Sequence, residues 1–422
     1  MKIQNPSTKQ IIFYSLLAFP LSFLAMPIYI YLPNFYVNNF TISLSSLALL
    51  LLVSRVLDAI LDPFLGILGD KYQNYKRHII AFSAPILGIS FIFLFHPLAN
   101  QNIALWLFIS LFITYFFFSL IQINYQSLAV GFSEDYNLKT KIIALRESLG
   151  VMGIIFASVA PSLLFLYFSE VKSFLIIGIF YFFLISIFAT IFYFKSPQSI
   201  TINSKAINKT DFSFLKNRQL KYLFTIFFFN SCTFGITASL MLFFVETILN
   251  AKNFTSLFLL LYFGGLLLGI PFWTKLSEKL KNKESAWKIA MILIVIIFAF
   301  CGFLGQGDIV FYTLICLLSG FCFGADYCLS YSILTDVIQN RKLEKSTSTI
   351  FGFINFIIKF CFAFASGSLL FWLGKVQETS PESQTNFLLI SYCLIPCILK
   401  IFTYIVLNKF HKTYVQNNQI NQ

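Results

Sequence analysis

Charge is what this chain has least of. Asp, Glu, Lys and Arg make up 11% of its 422 residues, against about a quarter in soluble domains, and that scarcity excludes a soluble fold. Histidine is nearly missing: His78, His96 and His411 stand singly at loops or ends, where solvated imidazoles are expected. The cysteines (Cys232, Cys301, Cys316, Cys322, Cys328, Cys361, Cys393 and Cys397) fall inside apolar runs without metal-ligand spacing, which excludes a zinc site and a disulfide framework. Period-two alternation is absent, and with it a β-barrel. No nucleophile–base set, nucleotide loop or metal cluster stands at recognisable spacing. An enzyme is therefore not expected, nor a cofactor.

What remains is helix-length apolar sequence, 58% hydrophobic with 55 Phe. Runs long enough to cross a bilayer, about 20 residues each, fall at 11–33, 44–69, 78–98, 103–131, 142–168, 173–195, 219–246, 254–275, 286–304, 309–337, 347–373 and 386–409. The run 11–32 is too long for a signal-peptide core and lacks an A-x-A-like site, so a retained first helix is expected. The longest polar connection, 196–218, separates six spans from six. The expected organisation is an N-terminal bundle over 1–195, a linker over 196–218, and a C-terminal bundle with a short tail over 219–422.

The net charge of +13 is concentrated on alternate loops. Lys71, Lys76 and Arg77 form one cluster, Lys139 and Lys141 another, followed by Lys205, Lys209, Lys216, Arg218 and Lys221. Lys275, Lys279, Lys281, Lys283 and Lys288, then Arg341, Lys342 and Lys345, complete the set, while the intervening loops hold only Lys172, Lys252 and Lys375. This positive-inside pattern places both termini in the cytoplasm and argues against nucleic acid as a partner. A multi-pass protein of the cell (inner) membrane is expected, a monomer whose partners are lipid, a small solute and a coupling ion.

An internal repeat supports the division. PFLGILGDK (63–71) matches PFWTKLSEK (271–279), pairing Pro63 with Pro271, Asp70 with Glu278 and Lys71 with Lys279. Two six-span halves repeated in parallel suggest the major facilitator architecture, an all-α integral membrane fold with its site between the halves.

The chemistry is not repeated. Arg55, Asp58 and Asp62 stack on one helical face in LLLLVSRVLDAILDPFLGILG (49–69), whereas Leu266 and Ile270 stand at the positions matching the two acids. A carboxylate at bilayer depth costs at least about 2.5–3.5 kcal/mol. Two such acids beside one arginine point to a bound cation, sodium or a proton, and no other metal site is indicated; the bland alternative is an Arg55–aspartate ion pair. Pro63 removes one helix hydrogen bond and is expected to loosen the backbone there. In SLIQINYQS (119–127), Ser119, Gln122 and Gln126 share a face and either glue helices together or complete the cation shell and bind substrate. Arg146 and Glu147 point about 100° apart, so one arrangement sends Arg146 to the cavity and Glu147 to a neighbour. Lys359 lies mid-span beyond the reach of snorkelling, one turn after Asn355, with Asp326 as a proposed counter-ion and Tyr327 as a stacking ring. Asn230 to Thr233 read as helix packing. At the end of the second span, GILGDKYQNYKR (66–77) carries a G-x-x-x-D-[RK] pattern that resembles the loop motif of major facilitator transporters. Asp70, Lys71 and Arg77 are its gating candidates, with Asp70 capping or pairing with a neighbouring helix.

RVLDAILDP (55–63) resembles the helix-two signature of the glycoside–pentoside–hexuronide:cation symporters, the melibiose permease family. LTDVIQ (334–339) and STIFGFINFIIK (348–359) are similar to that family's tenth-to-eleventh helix region. The resemblance implies cation binding at Asp58 and Asp62, and a sugar site at or beside Arg146, Tyr327 and Lys359. It also shows departures. Ser22 stands where the family's sugar transporters have a helix-one carboxylate, Gln122 replaces the helix-four acid, Gln126 a tryptophan, and Leu61 an asparagine. With two carboxylates missing, a melibiose-like specificity is not expected, and proton coupling stands level with sodium. The expected function is cation-coupled symport of a small polar solute by alternating access. A lipid or amphiphile translocator on the same fold is the alternative; the intramembrane charges argue against a receptor or assembly factor.

Overall fold

The computed structural model describes residues 5–40, 42–98, 102–197, 212–377 and 381–420. The centre of the connection between the two sets of spans, with Lys205 and Lys209, lies outside the described residues.

Helices begin where the sequence supplies a cap. The side chains of Ser43, Asn102, Asp135, Asn217 and Asn282 each accept a first-turn backbone N–H, opening α2 (Leu44–Lys71), α4 (Ile103–Leu128), α5 (Tyr136–Leu164), α7 (Arg218–Thr247) and α9 (Lys283–Ala299). The remaining long helices are α1 (Thr8–Asn39), α3 (Lys76–Phe95), α6 (Glu170–Lys195), α8 (Thr255–Lys279), α10 (Ile309–Asn340), α11 (Thr347–Gln377) and α12 (Ser383–Lys412). Among the described residues, 11 helices are long and apolar enough to cross a membrane. To these α2 adds 28 residues interrupted by its charges.

The helices are not uniform. α1 contains a π-helical turn at Pro27–Tyr31, and α12 another at Leu389–Leu394. α2, in contrast, runs unbroken through Pro63. Pro63 therefore removes a hydrogen bond without ending the helix, because the turns on either side remain bonded.

The chain divides into two compact units. The first comprises Met1–Asp211 with Ile338–Phe356, the turn joining α10 to α11; the second comprises Phe212–Val337 with Ile357–Gln422. Each has its own aromatic core. In the first, Phe95 stacks on Phe174 with ring centroids 4.3 Å apart, and Phe23 on Tyr181 at 5.7 Å. In the second, Phe244 stacks on Tyr392 at 4.5 Å, and the Tyr392 hydroxyl lies 2.7 Å from that of Tyr312, which satisfies both buried phenols.

Candidate functional site

The acids of α2 face inward. Asp58 is 6% exposed and Asp62 0%, so neither meets lipid. Ser119 of α4 donates its hydroxyl to Asp58 Oδ1 at 2.8 Å, joining the two helices. Arg55 also reaches α1. Its guanidinium lies 4.5 Å from the centroid of the Tyr29 ring, on the irregular part of α1, in a cation–π contact. One turn beyond Asp58, the backbone of Asp62 and Pro63 packs against Gly352 of α11 so closely that a Cβ there would collide with the Asp62 carbonyl. Further along α4, the Gln126 carbonyl oxygen accepts from the Asn355 amide at 3.3 Å, so this glutamine joins α4 to α11. Gln122, one turn earlier, is half-buried.

Asp70 caps a helix. Its carboxylate accepts the backbone N–H of Ser348 at 2.7 Å and of Thr349 at 2.8 Å, and the Thr349 hydroxyl at 2.6 Å. These amides belong to the first turn of α11, where unsatisfied donors and the helix dipole favour an anion. The approach requires glycine: a Cβ on Gly66 would stand 2.5 Å from the Ser348 carbonyl oxygen, and one on Gly69 2.7 Å from the Asn124 side chain. The cation beside this cap is Lys76 rather than Lys71. Lys76 is buried, 4.0 Å from Asp70, and donates to Ser127 at 2.9 Å. Lys71 is exposed, its ammonium 5.5 Å from the Tyr72 ring. The lysine beside Asp70 is thus the one that opens the next helix, because α2 continues to Lys71 and turns that side chain outward. Arg77 donates to the carbonyls of Ser196, at 2.8 Å, and Pro197, fastening α3 to the end of α6. Gln339 supplies a second tie within the same unit: it accepts from Lys139 at 2.7 Å and donates to the carbonyls of Val130 and Ser133.

The cap has a measurable consequence. Truncating a capping side chain costs about 0.5–2 kcal/mol, and charge-assisted bonds add to that. Asp70→Ala is expected to speed hydrogen exchange at the Ser348 and Thr349 amides by about tenfold, each factor of ten corresponding to about 1.4 kcal/mol. Unchanged exchange would show that the helix end is satisfied without the carboxylate.

Arg146 and Glu147, expected to diverge, pair with each other. Arg146 Nε donates to Glu147 Oε1 at 2.9 Å and Nη2 joins it, the long guanidinium folding back across the 100° between neighbours. α5 begins at Tyr136, so this pair lies well inside the helix, and Arg146 is buried. Ser22 of α1 packs against the same stretch of α5: a Cβ on Gly150, one turn after Arg146, would stand 2.8 Å from the Ser22 hydroxyl.

In the second unit the cation paired with Asp326 is Lys400 of α12, in place of the proposed Lys359. Lys400 also donates to Asn230 Oδ1 at 2.9 Å, and Trp287 donates its indole N–H to Asp326 Oδ1 at 2.6 Å. Four helices thus meet at one buried ion pair, with Asn230 part of it rather than mere packing. Sequence reasoning overlooked Lys400, although a lysine amid CILKIFTYIVL carries the same signal that drew attention to Lys359. A second pair was missed too: Lys283, opening α9 as Lys76 opens α3, is fully buried with Nζ 2.5 Å from Asp336 Oδ2. Tyr327 is half-buried against Phe323, centroids 5.8 Å apart, and Lys359 is half-buried on α11.

The sequence matches the family model described as MFS/sugar transport protein over residues 13–411. A curated relative, the uncharacterized symporter YjmB of Bacillus subtilis (strain 168), is 22% identical over 409 residues, spanning 88% of this chain and 86% of that one. Two solved structures share the architecture. The MFS transporter FucP in its outward conformation superposes with a TM-score of 0.73 at 16% identity, covering 95% of this chain and 98% of that one. A bacterial homologue of the iron transporter ferroportin, in an outward-facing state, gives 0.71 at 13% identity, covering 96% and 98%. The fold is the major facilitator fold.

Proposed function

The chain belongs to the MFS/sugar transport protein family, and from that premise we propose that this transporter couples a cation, sodium or a proton, to the symport of a small polar solute. The solute class that the helix-two resemblance favours is a sugar or glycoside. The transporter works by alternating access in the cell membrane, with both termini in the cytoplasm.

The observation that carries this reading is the pair of inward-facing acids on α2, with Ser119 bonded to Asp58. Carboxylates and a hydroxyl are the oxygen donors a hard cation takes, and a proton on either acid would equally relieve its cost at bilayer depth. Solute binding falls to the polar groups nearer the family's sugar positions: Ser22, Gln122, Gln126, Arg146, Tyr327 and Lys359. Coupling requires that cation and solute favour the same conformation. The Asp70 cap on α11 is the gate in this scheme: its bonds hold the basic-loop end of α2 against α11 and part when that end opens.

A thermal-shift panel on the purified protein tests the reading. Sodium at fixed ionic strength, or a lower pH, is expected to raise the unfolding midpoint, and the transported solute to raise it further when the cation is present. Saturation at 100 times Kd supplies about 2.7 kcal/mol. A protein indifferent to sodium and to pH between 5 and 8, while still stabilised by a solute, would leave a uniporter.

A further inference from the structure

We propose that a groove on the outer wall of the first unit, between α3 and α6, holds one anionic phospholipid. His78, Ala81 and Phe82 recur at helical spacing on α3, and Thr190, Tyr193 and Phe194 repeat that spacing on α6. The two rows enclose a groove of about 520 Å³. Its walls are apolar and open to the membrane: Phe82 is 74% exposed and Phe194 75%. A bond of 2.9 Å between His78 and the Tyr193 hydroxyl crosses the groove near the ends of the two helices.

That end is basic. Arg77 is held there by its bonds to the carbonyls of Ser196 and Pro197, both made through Nη2, so its charge is fixed at this end of the two helices. Lys195, the last residue of α6, is exposed, its ammonium 5.0 Å from the Phe13 ring. Neither helix carries an acid in its half nearest this end; Glu170 opens α6 at the other. An apolar slot running into the bilayer beneath two cations matches an acyl chain below a phosphate. A net-negative headgroup gains from both cations, whereas a zwitterionic one brings its own ammonium into the same field. Basic residues close to a membrane surface each contribute enough for the two together to favour an anionic lipid by roughly tenfold or more. The groove lies apart from the acids of α2, so it stands independently of the cation reading.

The test is native mass spectrometry of the full chain, released from vesicles of equal phosphatidylglycerol and phosphatidylcholine. The unmodified protein is expected to keep one phosphatidylglycerol, enriched about tenfold over phosphatidylcholine. R77Q/K195Q should bring the ratio back near that of the vesicle. Thr190→Trp fills the slot at an exposed position and leaves both cations in place, so it should lose the adduct while keeping the parent's thermal midpoint. Equal retention of the two lipids by the unmodified protein would overturn the proposal. So would an undiminished phosphatidylglycerol adduct in Thr190→Trp, since attraction would then be to surface charge and not to the groove.

Discussion

Asp58→Asn and Asp62→Asn are each expected to abolish cation-driven accumulation while leaving the protein folded in the membrane. A single charge moving through 100 mV supplies about 2.3 kcal/mol, enough for about fifty-fold accumulation of a co-transported solute. Without a carboxylate to carry the cation, that drive is disconnected and the accumulation ratio falls to about one. The fold should survive, for a physical reason. An asparagine oxygen at position 58 still accepts the Ser119 hydroxyl that Asp58 accepts at 2.8 Å, and removing a charge from a buried site relieves a desolvation cost. Solute counterflow, which needs no gradient, should persist in at least one variant. Uptake from energised vesicles and counterflow, measured side by side, separate lost coupling from lost binding. Accumulation that stays cation-dependent in both variants would remove the acids from the mechanism.

Most of the architecture was legible because apolar runs of membrane length have one common solution, a helix with its backbone bonded internally. Helix starts at Asn217 and Asn282 are set by side-chain caps, which a search for apolar runs does not weigh. The π-turns of α1 and α12 left no such mark: Pro27–Tyr31 is as apolar as its surroundings, and only packing decides how the backbone adjusts. Within the candidate site, two contacts fall where the sequence pointed: the Ser119 hydroxyl meets Asp58, and Asp70 caps a neighbouring helix. The partners of the buried cations were not readable. Asp326 was matched to Lys359, yet its cation is Lys400 of α12, because sequence spacing does not say which helices adjoin. Lys71 and Lys76 stand five residues apart in one basic loop, and only the length of α2 reveals that the first points outward while the second is buried.

Lys400→Met is expected to destabilise the second unit by about 3–5 kcal/mol, the cost of leaving one partner of a buried pair uncompensated. Asp326 would keep the Trp287 indole as a donor at 2.6 Å but lose its cation. Asp326→Asn should cost less, since an amide oxygen still accepts from Trp287 and Asn230 remains an acceptor for Lys400 at 2.9 Å. The double variant Asp326→Asn/Lys400→Met removes both charges together, so its loss should be smaller than that of Lys400→Met alone. Unfolding midpoints of the four proteins in one detergent measure this cycle. The cycle also separates two uses of intramembrane charge. The α2 acids are proposed to work by being neutralised and released in turn, whereas the Asp326–Lys400 pair has its partners in place on α7, α9, α10 and α12. Folded double variant should therefore retain cation-dependent uptake, the outcome opposite to that expected for Asp58→Asn. A double variant that is stable yet has lost cation dependence would transfer coupling to the second unit, and the asymmetry between the halves would then concern how charge is balanced, not where the cation binds.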